Sequence, residues 1–70
     1  MENKEIYYKA LLENKGRLNE IDLGERMGFD ENETRELIAQ LLSEHKIEYV
    51  EHRACSYRPI RTSKGRNIGG

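Results

Sequence analysis

The feature that most constrains this chain is a change of period near Lys46. Before it, Leu37, Ile38, Leu41 and Leu42 recur at i, i+1, i+4 and i+5, which places them on one face of a helix. After it, Ile47 and Tyr49 alternate with Glu48 and Val50, the pattern of a half-buried strand. A helical stripe that gives way so quickly to a two-residue alternation calls for one core shared by both. The chain has 70 residues, and one this short buries only about 60% of the surface its unfolded form exposes. A second domain, or a deep catalytic cleft with its supporting shell, does not fit.

The apolar positions upstream extend the pattern. Ile6, Tyr7, Ala10 and Leu11 predict a first helix over roughly residues 3–14, with Gly16 as its left-handed stop. Arg17 and Leu18 then make a bridge, long enough for a single β-pairing. Asn19 is a good N-cap for a short second helix, with Glu20 and Asp22 in the first turn, where the helix dipole favours negative charge. Its buried side should hold Ile21, Leu23, Gly24 and Met27. Glycine inside a helix costs about 0.5–1 kcal/mol relative to alanine, so Gly24 predicts a close approach between helices. Gly28 ends this helix and Phe29 follows as an apolar plug. A third helix is expected over residues 31–45, opened by a capping box between Asp30 and Glu33, with Thr34 half buried on its inner face. The strand pattern then returns. Cys55 and Tyr57 alternate with Ser56 and Arg58 after a polar link, and Pro59, which cannot donate to a ladder, ends the second strand.

Helix, helix, tight glycine turn, helix, hairpin: in that order the features resemble the winged helix-turn-helix family of DNA-binding domains. The stretch Leu23-Gly24-Glu25-Arg26-Met27-Gly28-Phe29 is similar to the family's turn pattern. Thr34, Leu37, Ile38 and Leu41 occupy its inward positions, and Lys46 to Pro59 look like its wing. The likeness spans Leu18 to Ile60. It implies an α+β fold, a three-helix winged helix-turn-helix with a C-terminal two-stranded β-hairpin wing over residues 1–60. A disordered, basic, glycine-containing tail is expected over residues 61–70. It also implies binding to double-stranded DNA and a part in transcription regulation. Because winged helices also act as protein-docking modules, the alternative is protein–protein interaction or homodimerisation without DNA. Pairing through the first helix, around Tyr8 and Leu12, is the dimer this resemblance suggests.

The candidate DNA contacts follow from the same likeness. The third helix would enter the major groove N-terminus first. Asn32, Arg35, Glu36 and Gln40 are its candidate base contacts, since Asn and Gln pair with adenine and Arg with guanine. The acids there oppose approach: a carboxylate about 7 Å from a phosphate costs roughly 0.6 kcal/mol even in bulk water. Asp30 and Glu33 have local work in the cap and Glu31 suits the helix dipole, but Glu36 has no such role. Charge is segregated along the chain. Residues 1–45 carry six Lys or Arg against eleven Asp or Glu, while residues 46–70 carry six against two. From Arg53 onward there is no acid, so Arg53 and Arg58 in the wing, with Arg61, Lys64 and Arg66 in the tail, are the candidate backbone contacts.

Other chemistries find little support. His45, His52 and Cys55 make only three potential ligands, where a structural zinc site takes four, so no metal or other cofactor is expected. A single cysteine rules out an internal disulfide, and Cys55 reads better as a small strand residue than as a redox sensor. Tyr7, Tyr49 and Tyr57 fall on faces assigned to the core, leaving Tyr8 off the main stripe. No nucleophile–base pair, phosphate-binding glycine loop or carboxylate pair in a cleft is visible, and no small-molecule substrate is evident. The expectation is therefore a binding protein and not an enzyme, cytoplasmic, with no membrane partner.

Overall fold

The computed structural model describes residues 2–60. The expected tail at residues 61–70 lies outside the described residues, as do Arg61, Lys64 and Arg66. Three helices precede a hairpin: α1 (Asn3–Asn14), α2 (Glu20–Arg26), α3 (Glu31–Ser43), β1 (Ile47–Tyr49) and β2 (Tyr57–Pro59). This is the α+β arrangement of a winged helix.

The core is the one the periodicity implied. Tyr7, Ala10 and Leu11 of α1, Leu23 of α2 and Leu37, Ile38 and Leu41 of α3 are buried together with Phe29, Ile47 and Cys55. Two expected members are not. Met27 is 39% exposed, because α2 is only seven residues long and Met27 already caps its end. Tyr49 is 60% exposed, because β1 runs beyond the helical layer that covers Ile47; its ring stands edge-on to Tyr57, centroids 5.8 Å apart. Ile21 and Leu42 are half buried at the margin.

Local hydrogen bonds explain where each helix stops. α1 turns left-handed at Lys15 (φ 53°), one residue before the expected stop at Gly16. Beyond it Leu18 makes no β-pairing. The buried Asn14 side chain takes both its backbone groups, accepting from the Leu18 amide at 2.9 Å and donating to its carbonyl at 3.0 Å. At the end of α2, Gly28 (φ 91°) lets its own amide reach the Glu25 carbonyl and the Phe29 amide reach that of Gly24. That crossed pair closes the helix and delivers Phe29 to the core. α3 ends the same way with a less usual residue. His45 takes φ 60°, its amide donating to Leu42 and that of Lys46 to Leu41, so the helix stops at Ser43, short of the expected residue 45. The capping box at its other end is complete: Glu33 N–H donates to Asp30 Oδ1 at 2.7 Å, and Asp30 N–H to Glu33 Oε1 at 3.0 Å.

The hairpin pairs Ile47 with Pro59, Glu48 with Arg58 and Tyr49 with Tyr57. Ladder bonds flank these pairs at Val50–Ser56 and Lys46–Ile60. By alternation, Pro59 falls at a position where no amide is required of it. Glu20 anchors the hairpin to the helices. Its carboxylate accepts from the Ser56 amide at 2.9 Å, and its carbonyl accepts from the Tyr7 hydroxyl at 2.8 Å. Lys4 at the start of α1 is ion-paired with Glu44 at the end of α3, and the shared hydrogen bond raises the one pKa and lowers the other.

Burial also raises the Cys55 thiol and the Tyr7 phenol above their ordinary values of 9.0 and 10.0. A group raised on folding stabilises fully below its unfolded value and loses that contribution as pH climbs towards its folded value. Stability should therefore be level up to about pH 9 and then fall, by at most about 1.4 kcal/mol per pH unit for each group. Urea melts across the alkaline range check this. A parent curve that stays level well past the tyrosine range, or a Tyr7→Phe, Cys55→Ala curve that declines as steeply as the parent, would refute it.

Candidate nucleic-acid interface

The outer surface of α3 is formed by two ridges four residues apart in step. Asn32, Glu36 and Gln40 form one, on the side of the N-terminus of α1, where Glu2, Asn3, Lys4 and Glu33 complete a shallow depression. Glu31, Arg35 and Ala39 form the other, beside the hairpin, where Arg35 faces Tyr57 across a cleft floored by Ile38 and Leu42. Asn32, Arg35, Glu36 and Gln40 are all exposed, so among the described residues nothing covers the expected reading face. The structure does, however, put Arg35 on the opposite ridge from the other three.

The charges on this face other than Glu36 are already engaged. Arg35 donates from Nε and Nη2 to Glu31 Oε2 at 3.0 and 2.6 Å. Asp30 and Glu33 are occupied in the cap. Arg35 is the only base on either ridge, set against Glu31 and Glu36. Thr34, between the ridges but facing inward, is fully buried, and its hydroxyl donates to the Asp30 carbonyl at 2.9 Å.

The wing bases lie elsewhere. Alternation puts Arg58 on the same hairpin face as Lys46, Glu48, Val50 and Ile60, and Tyr57 on the other. Arg58 donates to Glu48 Oε2 at 2.6 Å. With Arg53 in the connecting loop it lines a groove of about 660 Å³ between the hairpin and the C-terminal half of α1. Lys15 stands on the facing rim, a residue to which sequence reasoning gave no role, although it directly precedes the turn glycine. The candidate bases therefore separate into Arg35 on the reading helix and Arg53 and Arg58, with Lys15, around the groove. Of the aromatic candidates, Tyr8 is half buried at the groove edge, with Lys46 Nζ 5.9 Å from its ring centre.

The structure does not gather His45, His52 and Cys55. His52 is exposed on the loop, Cys55 is buried with its thiol directed at the Tyr57 carbonyl (3.2 Å), and among the described residues no three such side chains are grouped as ligands. Burial and a raised pKa favour the uncharged thiol, the unreactive form. Among the described residues no helix is long and apolar enough to cross a membrane.

Element order, the turn at Gly28 and the hairpin define the architecture as that of a winged helix. Comparison of the chain with protein-family models, curated proteins and solved structures finds no match.

Proposed function

We propose that the chain is a winged-helix nucleic-acid-binding protein whose ligand is duplex DNA, with transcription regulation as its setting. The observation that carries this reading is the uncovered outer face of α3, which offers Asn32, Arg35 and Gln40 beside a hairpin wing. Arg35 reaches a guanine edge by exchanging Glu31 for it. Backbone attraction comes from Arg53 at the wing loop and from Arg61, Lys64 and Arg66, which follow Ile60 in the chain. Arg58, paired with Glu48 on the far face of the hairpin, drops out of that set.

A second reading, docking of a protein partner on α3, draws on a different observation. Three of the twelve bases lie past Ile60, which leaves nine against thirteen acids over the described residues, and Arg35 and Arg58 are each held by a carboxylate.

Salt dependence separates the two. With four phosphate contacts, log K against log salt should have a slope of about −0.9 × 4, roughly −3.6, so a fourfold rise in salt weakens duplex binding about 150-fold. Deleting residues 61–70 should remove about three quarters of the slope, while Arg35→Ala should change sequence preference more than affinity. Protein docking would leave duplex affinity negligible even in low salt, and substitutions at Arg35, Glu36 and Gln40 would instead disrupt a protein complex. Tight duplex binding that ignores loss of the tail and of Arg53 would sink the mechanism.

A further inference from the structure

Only Arg53 of the groove between α1 and the hairpin enters the duplex reading, and the groove's composition is distinctive. Its floor and walls are aliphatic: Leu11, Leu12, Val50, Pro59 and Ile60, with Cys55 beneath. Leu12 remains 48% exposed and extends this apolar surface. The rim carries Lys15, Arg53 and Arg58, and no acidic residue is among the described residues that line it. Glu48 balances Arg58 from outside, whereas among the described residues neither Lys15 nor Arg53 has an ion-pair partner. Elsewhere among the described residues, acids outnumber bases thirteen to six. The depression at the other end of the molecule is lined by Glu2, Glu33 and Glu36 with a single base, Lys4.

We infer that this groove docks a short acidic amphipathic segment of a partner protein, its aliphatic side chains on the Leu11–Leu12 floor and its carboxylates at Lys15 and Arg53. Charge complementarity selects this occupant over a second copy of the chain. A two-fold contact across the groove would set Lys15 and Arg53 of one copy against those of the other, and like charges there oppose association. Side-chain chemistry selects it over single-stranded nucleic acid, which needs open aromatic faces. The two rings at this site are engaged, Tyr8 with Lys46 and Tyr57 with Tyr49, and no other described residue of the lining is aromatic. The site lies across the hairpin from Arg35, so a partner held there leaves α3 uncovered.

The test is selection of short random peptides displayed against the immobilised full chain. Enriched sequences should combine Leu, Ile, Val or Phe with Asp and Glu, above their frequency in the starting library. A synthetic peptide of the enriched sequence should lose at least about tenfold in affinity for Leu12→Asp and for Lys15→Glu, Arg53→Glu, the size of effect seen when an interface anchor or charge partner is removed. All three substitutions are at exposed positions, and unchanged thermal melts would show that the fold is intact. Arg35→Ala should leave peptide affinity unchanged, which makes the result independent of whether duplex DNA binds. Absence of enrichment, enrichment without acids, or indifference to Leu12→Asp would overturn the assignment. So would an oligo-dT strand whose binding depends on Leu12, or self-association in sedimentation that Leu12→Asp abolishes.

Discussion

Replacing Gly24 with alanine should destabilise the protein strongly, although alanine is the better helix former by about 1 kcal/mol. A Cβ at position 24 would overlap Thr34 Oγ1 and lie 2.8 Å from its Cγ2 and 2.9 Å from its Cβ. Thr34 has nowhere to go. It is fully buried, and its hydroxyl is bonded to the Asp30 carbonyl at the N-cap of α3. Relief requires α2 and α3 to separate, which would also pull Leu23 and Leu37 out of contact with the core. Overpacking typically costs about 1–3 kcal/mol and sometimes more, against a total of about 3–10 kcal/mol for a chain of this size. Thr34→Ala removes the two nearest atoms, so the double variant should recover part of the loss, and a double-mutant cycle would read that coupling directly. A Gly24→Ala protein as stable as the parent would show that the helices do not approach this closely.

Leu41→Ala should be of similar severity by the opposite route. Leu41 is 1% exposed and sits in α3 where the stripe meets Ile47 of β1. Truncation leaves a cavity shared by helix and hairpin, at a cost of about 2–5 kcal/mol, enough to depopulate the fold of so small a domain. Urea titration followed by circular dichroism gives the value, and a midpoint equal to the parent's would mean that the core has been wrongly assigned.

What was legible in the sequence is what depends on neighbours in the chain. α3 could be read because its capping box and its apolar spacing lie within a few residues of one another, and α1 matched its expected span for the same reason. The close approach at Gly24 was legible because a mid-helix glycine needs a cause. The residues that escaped are those whose role is set at a distance. Strand alternation correctly put Tyr49 on the side of Ile47, but not where the covering layer ends. Asn14 falls on the apolar stripe of α1, a position whose polarity was a signal, yet its partner Leu18 is reached only after the chain turns. The role of Glu20 depends on Ser56, 36 residues away. The candidate site divides along the same line. The exposed ridge residues of α3 and the strand side of Arg58 follow from local spacing, whereas the engagement of Arg58 with Glu48 follows from the hairpin register.

The position of Pro59 bears on how this surface can meet anything else. Residues at the Tyr57 and Pro59 positions of β2 direct their backbone groups away from β1, towards where a further strand would add. Proline offers no donor there, and the Tyr57 carbonyl already receives the Cys55 thiol. Leu18, the nearest candidate for a third strand, has both its backbone groups taken by Asn14. The hairpin thus offers a further strand few of the bonds it would need on that side, which guards against the edge-to-edge aggregation to which short sheets are prone. Recognition there falls mainly to side chains, and variation at those side chains can change a partner without disturbing the sheet.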